Sequence, residues 1–453
     1  MQIELDPPAN AINTARSRVE RGPVHTDHVD HSDVAFWSID PEGSRDLDQA
    51  LFLERRGSEY TLHYAIADVG AWVEPGDAID TAARERGTTI YCPDRRAALH
   101  PTVLSEGAAS LLADGRPRPA LHWRIELDQR GATSGITVVR AMVRNTAARS
   151  YYEVQGEVDA GRPDPQTELL REIGHLRQEL EVARGGISLQ LPEQSVRRVD
   201  DHYELEYEAP LAAEDWNAQL SLCTGMAAAS LMIGAGIGIL RTLPAAAPGV
   251  IDRLRRQADA LGFAWPSDQS YPAFIRLVDG TTARGAALMT QAAKTLRGAG
   301  YVSFDGAVPA DHQHAAVAAP YAHVTAPLRR LVDRTANECV LAATAGTRPA
   351  GWVLEALAEL PQQMSAANQR ASAVDRAVID ICEAAILTHR VGEVFDGRVL
   401  SISERGATVQ LVDPAVIATV RLDTSVDGSL GEAVRVRLVT ADPNVGQVKF
   451  SPA

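Results

Sequence analysis

Three aspartates crowd one short stretch of this chain. Asp40, Asp46 and Asp48 lie in Ile39-Asp40-Pro41-Glu42-Gly43-Ser44-Arg45-Asp46-Leu47-Asp48-Gln49, between an apolar run that ends at Ile39 and another from Ala50 to Leu53. Carboxylates held this close repel and raise one another's pKa. On a rigid scaffold they call for a cation, and hard carboxylate oxygens suit Mg²⁺. An EF-hand is excluded, because its sixth loop position requires glycine and Arg45 stands there. A purely structural reading, with Asp40 and Asp46 capping turns, stays open.

A second group is Tyr321-Ala322-His323-Val324-Thr325-Ala326-Pro327-Leu328-Arg329-Arg330-Leu331-Val332-Asp333-Arg334. Pro327 suits the first turn of a helix, which would place Arg329 and Arg330 near its positive end. Cations there are unfavourable in a free helix and make sense where an anion such as a phosphodiester docks. The competing reading is an ion pair of Arg330 with Asp333 at i, i+3. The run from His25 to His31 mixes histidines with acids, and an exposed polar linker explains it as well as a metal cluster does.

The elements around these groups point to an α+β chain, mixed in its core. Residues 1–33 read as an N-terminal arm with a short helix over 11–20. Strand-like runs follow at 35–39, 49–53, 60–67, 120–127 and 136–143, a helical stretch covers 150–184, and short strands are expected at 187–191 and 203–207. Helices are expected over 214–232, 250–261, 271–277 and 286–297, and two more over 352–386. The glycines at 234, 236 and 238 lack the spacing of a phosphate loop and read as a helix end. From Val391 the period changes to two, and five short strands fill the last 63 residues, the pattern of a small OB-type barrel. The domain expectation is therefore an arm at 1–33, a core at 34–390 and a barrel at 391–453.

Composition narrows the class of protein. Of the 453 residues 45% are hydrophobic and 23% charged, ordinary values for a globular chain. The net charge of −15 argues against coating nucleic acid by bulk electrostatics, but leaves room for a local basic groove. Lys294 and Lys449 are the only lysines, so phosphate contacts would fall to the planar fork of arginine. Cys92, Cys223, Cys339 and Cys382 show no CxxC spacing and read as reduced thiols. The first residues lack a signal-peptide pattern and no apolar run is expected to span a membrane, so the cytoplasm is the default compartment.

At the two chemical groups the chain resembles the ribonuclease II family, whose catalytic domain is called RNB. The family's isoleucine-aspartate followed by Asp-Leu-Asp-Asp reads here as Ile39-Asp40 and Asp46-Leu47-Asp48-Gln49, and its Thr-Ser-Pro-Ile-Arg-Arg reads as Thr325-Ala326-Pro327-Leu328-Arg329-Arg330. Further matching blocks are Ala65 to Val69, Arg86 to Tyr91, Leu104-Ser105, Ser150-Tyr151 and Gly185 to Glu193, and the C-terminal strands match the family's RNA-binding OB domain. The 33 residues before the core are too few for the cold-shock domains of longer members, so the resemblance is to a short form.

The resemblance implies a 3′-to-5′ exoribonuclease that hydrolyses RNA from single-stranded 3′ ends, including tails on structured RNA, to nucleoside 5′-monophosphates. Asp40, Asp46, Asp48 and Gln49 would hold Mg²⁺, with Mn²⁺ a possible substitute, and Asp48 and Arg329 would be catalytic, Arg329 steadying the scissile phosphate. Tyr151 would pack against a base near the 3′ end, with Arg330, Thr325 and His323 as further RNA contacts. Gln49 departs from the family's fourth aspartate, removing one negative charge while keeping an oxygen able to ligate. Leu189 stands where an aromatic would face Tyr151. The alternative is a catalytically weak RNB-fold protein that binds RNA, and a phosphodiesterase for another nucleotide is a more distant one.

Overall fold

The chain is described by a computed structural model that covers residues 4–189, 193–199, 202–208, 210–280, 282–403, 406–411, 413–420 and 430–453. The aspartate loop sits at the mouth of a closed five-stranded barrel. After helix α1 (Ala9–Arg21), strands β1 (Val29–Asp40), β2 (Gln49–Arg56) and β3 (Glu59–Ala67) form an antiparallel meander. Helix α2 (Ala78–Arg86) follows, its first turn capped by Asp77, whose carboxylate accepts from the N–H groups of Ile79 and Asp80. A small hairpin, β4 (Ile90–Tyr91) with β5 (Arg96–Ala97), precedes β6 (Arg118–Leu127) and β7 (Thr133–Ser150). Strand β7 pairs antiparallel with β6 and parallel with β1, bringing Ser150 opposite Asp40 and closing the barrel.

Helices then cover the barrel. Helix α3 (Tyr151–Asp159) opens with a capping box of Ser150 and Glu153, and α4 (Pro165–Arg184) is capped by Asp164. After hairpin β8 (Glu193–Val199)–β9 (His202–Glu208) comes α5 (Ala212–Ala235), ended by Gly236 in the left-handed conformation. The glycine cluster is thus a helix end, as its spacing suggests. Strand β10 (Ile237–Thr242) pairs with β11 (Gly300–Asp305), and between them lie α6 (Pro248–Ala260), α7 (Tyr271–Ile275) and α8 (Ala283–Ala292). The short pair β12 (Gln313–His314)–β13 (Ala319–Pro320) leads to α9 (Leu331–Thr344) and α10 (Gly351–Leu387). A second closed barrel ends the chain, with β14 (Val394–Ser403), β15 (Gly406–Leu411), β16 (Ile417–Val420), β17 (Ala433–Asp442) and β18 (Gln447–Pro452) in the order β14-β15-β16-β18-β17. The five-strand expectation for this region holds, although the final residues of the runs expected to end at 412 and 422 lie outside the described residues.

Two apolar clusters position the chemistry. The larger joins Leu51, Tyr64 and Trp123 of the barrel to Trp216, Leu220 and Met232 of α5 and to Val332, Ala336 and Val340 of α9. The second holds Leu47 from the aspartate loop and Leu328 from the arginine stretch together with Phe36, Leu104 and Leu111. Burying each of these leucines contributes roughly 1.5–3 kcal/mol, so the hydrophobic effect that folds the barrel also brings the two loops together.

Several sequence expectations are corrected here. The two helices expected over 352–386 are one: α10 is a single helix of 37 residues with Pro361 inside it. Its buried stripe of Val353, Ala356, Leu357, Leu360, Met364 and Ala367 continues through the proline, and this packing outweighs a cost of about 3 kcal/mol. The helix expected from Pro327 starts at Leu331, with Arg330 extended. Its backbone there is claimed by residues 87–89, with Arg330 bridged to Thr88 and the Leu331 N–H donating to the Gly87 carbonyl. The His25–His31 run is no exposed linker. Strand β1 begins within it, His28 pairs with buried Asp68 at 3.1 Å, and His31 meets His122 at 2.7 Å. Residues 186–189 are irregular rather than a strand, and 190–192 lie outside the described residues. Among the described residues α5 is long and apolar enough, by length and composition, to cross a membrane, contrary to expectation, yet half of that stretch is buried inside the fold. All four cysteines are free thiols.

Packing of α5 against the Tyr321 segment gives a test. A Cβ at Gly225 would stand 2.1 Å from Tyr321 Cε2 and 2.7 Å from the Ala322 carbonyl oxygen. Gly225→Ala should destabilise the chain by roughly 1–3 kcal/mol, read as a lower urea midpoint at unchanged slope.

Candidate active site

The aspartate loop is a rigid object. The Leu47 N–H donates to Ser110 Oγ at 2.9 Å, the Leu47 carbonyl accepts from the Leu111 N–H at 2.9 Å, and Ser110 Oγ donates to the Arg45 carbonyl at 2.7 Å. The Asp48 carbonyl accepts from the Ala67 N–H at 2.9 Å, which fixes the start of β2 against the end of β3. Gly43, at φ 78°, makes the turn that returns the chain across the barrel mouth.

The arginine stretch meets this loop at Asp48. Asp48 is 4% exposed; its Oδ1 accepts from the Leu328 N–H at 2.7 Å, and its Oδ2 lies 3.6 Å from Arg329 Nε. The Arg329 carbonyl is held by the Thr89 N–H at 3.0 Å and Thr88 Oγ1 at 2.9 Å. Its side chain is 46% exposed and free to meet a ligand. Arg330 behaves differently. It grips Asp333 with both Nε and Nη2 at 2.9 Å, and Asp333 Oδ1 also accepts from the Ala326 N–H at 2.7 Å. The structural ion pair weighed against a phosphate contact is therefore the arrangement present.

Asp40, Asp46, Asp48, Gln49, Tyr151 and Arg329 line one cavity of about 550 Å³. Arg330, Thr325 and His323 are not among its lining residues. Thr325 is buried with its hydroxyl 2.9 Å from Ser221 Oγ, and His323 Nδ1 lies 2.8 Å from the Tyr301 hydroxyl. Burial, reinforced by Arg330 and Arg241, holds the His323 pKa well below its usual value, so the ring is neutral and offers no charge to a phosphate. Leu189 packs with the apolar cluster of α6, α7 and α8 rather than opposite Tyr151. Glu42 of the loop lines the cavity as well, and outside the loop sequence reasoning missed three lining residues: Tyr91, Arg96 and Asn217. Tyr91 lies in a block that carries the family resemblance; no spacing marks the other two.

Electrostatics separate the carboxylates. Burial raises the Asp40 carboxyl to about 7, opposed by Arg329 and reinforced by Asp46. Burial likewise lifts Asp48 well above the carboxylate range, against the pull of Arg329 and the Leu328 N–H. Asp46 is instead ion-paired: Arg96 Nη1, whose guanidinium is shared with Glu106, donates to its Oδ1 at 2.6 Å and the Tyr91 hydroxyl to its Oδ2 at 3.0 Å. The Gln49 Oε1 accepts from the Tyr64 hydroxyl, so it is not the spare ligating oxygen expected. Tyr151 accepts from Asn217 Nδ2 at 2.9 Å, and burial pushes its phenol up to about 12, keeping the ring neutral.

In donor chemistry Asp40 and Asp48 fit a hard divalent ion, since both put carboxylate oxygens on the cavity wall with only the Arg329 guanidinium opposing them there. Among the described residues no three His, Cys, Asp or Glu side chains stand close enough to share an ion as they are placed. A larger cavity, about 730 Å³, lies between α4, α5 and the β6–β7 turn. It carries Arg177 and Arg184 on a largely apolar wall and no carboxylate, so the chemistry is assigned to the smaller one.

Comparison with known proteins finds two family matches along the chain. Residues 28–345 match the family described as RNB domain, and residues 393–453 match the RNase II-type exonuclease C-terminal S1 domain. Ribonuclease R of Escherichia coli (strain K12) is 28% identical over 413 residues, covering 85% of this chain and 50% of its own length. The chain thus spans about half the length of the full-length curated relatives it matches here. Mycoplasma genitalium RNase R, in complex with ribose-methylated single-stranded RNA, superposes with a TM-score of 0.86 at 17% identity over 97% of this chain and 75% of that one. Yeast Ssd1, a pseudonuclease, gives 0.69 at 16% identity over 88% and 52%. These two structural likenesses are likenesses of fold.

The raised Asp40 carboxyl predicts a pH signature. A folded pKa of about 7 against 3.8 means that the metal-free fold favours the protonated acid; this contribution is complete below about pH 4 and is lost as pH rises to about 7. Across that window the melting temperature of the metal-free wild type should fall relative to Asp40→Asn. A constant difference between the two would contradict the burial of this charge.

Proposed function

The chain belongs to the RNB family, and we propose that it is a 3′-to-5′ exoribonuclease that hydrolyses single-stranded RNA ends, including tails on structured RNA, to nucleoside 5′-monophosphates. One observation carries the reading: two carboxylates, half-buried Asp40 and buried Asp48, face a cavity shared with the exposed guanidinium of Arg329 and the ring of Tyr151. RNB-family nucleases are metal-dependent, and Asp40 and Asp48 are the residues that would hold Mg²⁺, or Mn²⁺ in its place. When bound, such an ion supplies Lewis-acid polarisation of a phosphoryl oxygen and a more acidic water.

The chain's own residues supply the rest of the chemistry. Arg329 meets the charge that develops on the scissile phosphate, and its backbone is fixed by Thr88 and Thr89, so little reorganisation is needed at the moment of reaction. The Leu328 N–H holds Asp48 at one oxygen and leaves the other toward the cavity. Tyr151, steadied by Asn217, offers a neutral ring on which a terminal base stacks. The C-terminal barrel adds an OB-type surface suited to the same strand. The cytoplasm, where free thiols persist, is the compartment proposed.

Gln49 favours a second reading, RNA binding without efficient hydrolysis, because a carboxamide already engaged by Tyr64 stands where the family has an aspartate. A 5′-labelled single-stranded RNA incubated with Mg²⁺ separates the two. Stepwise shortening from the 3′ end, lost in Asp48→Asn and slowed about 10²–10³-fold in Arg329→Ala, supports the nuclease. Tight binding at constant length supports the second reading. Tyr151→Ala should weaken RNA binding by about 1–3 kcal/mol in either case.

A further inference from the structure

We propose that the cavity between α4, α5 and the β6–β7 turn is a second binding site, which takes the carboxylate of a small organic acid with an aliphatic body. It is remote from the aspartate loop: β7 begins at this cavity with Thr133 and ends at Ser150 opposite Asp40, and the two cavities share no lining residue. Its occupancy is independent of whether the chain cleaves RNA.

Two arginines make it a site for an anion. Arg177 is 4% exposed and lines the cavity; its Nη1 donates to the Gly131 carbonyl at 2.8 Å, while its Nε is buried with no acceptor among the described residues. Arg184, two turns further along the same face of α4, donates Nε to the Val317 carbonyl at 2.8 Å and leaves Nη2 buried and without an acceptor in the same way. Guanidinium nitrogens only donate, so each is costly to bury until an acceptor arrives. No carboxylate lines the cavity. Glu181 is buried nearby, but its two oxygens are taken by Ser188 Oγ at 2.6 Å and Gln219 Nε2 at 2.5 Å, and Glu126, beside Gly135 of the rim, is paired with Arg124 at 2.8 Å. Arg177 and Arg184 against Glu181 leave one positive charge in excess. Burial, and then Arg177, hold the Arg184 pKa below its ordinary value, opposed by Glu181 and Cys223. A carboxylate answers both shortages: it balances the single charge, and its two oxygens give each arginine an acceptor.

The rest of the wall sets the body of the ligand. Ile136, Leu180, Met226 and Leu231 are partly buried and face the cavity, and exposed Thr133, Ser134 and Ser230 stand at its rim. The apolar character of α5 exceeds what the core uses, since only half of its most apolar stretch is buried inside the fold. The volume of about 730 Å³ is that of a small-molecule pocket. None of the described lining residues is aromatic, so a nucleobase finds no stacking partner here, in contrast to the cavity that holds Tyr151. An aliphatic chain needs none.

Calorimetry of the full chain with decanoate, 1-decanol and acetate, each below the concentration at which it aggregates, tests this. Decanoate should bind saturably, one per chain, and raise the thermal midpoint. 1-Decanol, with the same tail and no charge, should bind at least about tenfold more weakly, and acetate should not saturate over the same range. Arg184→Met keeps the aliphatic stem and removes the charge, and should weaken decanoate at least about tenfold; Ser230→Phe, at an exposed position, fills the mouth and should weaken it as much. Circular dichroism and the ligand-free thermal midpoint identify the folded variants, and Ser230→Phe carries the test if Arg184→Met fails to fold. No decanoate binding up to millimolar concentration, equal affinity for 1-decanol, or a folded variant that binds decanoate as wild type does overturns the proposal. Displacement of decanoate by inorganic phosphate or by a single-stranded RNA also overturns it, because the two arginines would then serve a phosphate.

Discussion

The site depends on one buried carboxylate. Asp48 lies on the aspartate loop, yet its Oδ1 is satisfied by the N–H of Leu328, 280 positions further along the chain, and its Oδ2 faces Arg329. Unpaired, a carboxylate this deep would cost several kcal/mol. The pairing holds only while the barrel mouth and the arginine turn stay in register. Leu47 and Leu328 supply that register by entering the same apolar cluster, so the packing that stabilises the fold also sets the distance between acid and guanidinium.

Much of this arrangement was legible locally. Asp40, Asp46 and Asp48 sit at fixed short spacings between two strand-like runs, and the structure does place them on one loop at the end of β1 and the start of β2. The C-terminal strands, separated by turn residues and alternating in burial along β14, β15 and β16, were readable for the same reason. Closure of the first barrel was not, because it requires β1 to pair in parallel with β7 more than a hundred residues away, and period-two patterns carry no partner information. The limits of α9 and α10 escaped likewise: tertiary pairing of residues 87–89 delays the first, and a continuous apolar stripe carries the second through Pro361.

Inside the site the misreadings share a physical cause. Arg330 and Arg329 are adjacent and chemically identical, but Asp333 captures one guanidinium and leaves the other exposed. Gln49 and Asp46 looked like available oxygens until Tyr64 and Arg96, from β3 and β5, were seen to occupy them. A residue type shows what a side chain is able to do; its partner, usually distant in the chain, decides whether that capacity remains. The net charge of −15 illustrates the same point, since it describes the chain as a whole while the cavity sets Arg96 and Arg329 among its acids.

The most direct measurement of the central claim is the anomalous diffraction of Mn²⁺ in crystals grown with a cleavage-resistant single-stranded RNA. The account predicts Mn²⁺ density between the Asp40 and Asp48 carboxylates, the last phosphodiester of the strand facing Arg329 and its terminal base against Tyr151. Density away from both aspartates, or a 3′ end seated in the cavity between α4 and α5, would contradict it.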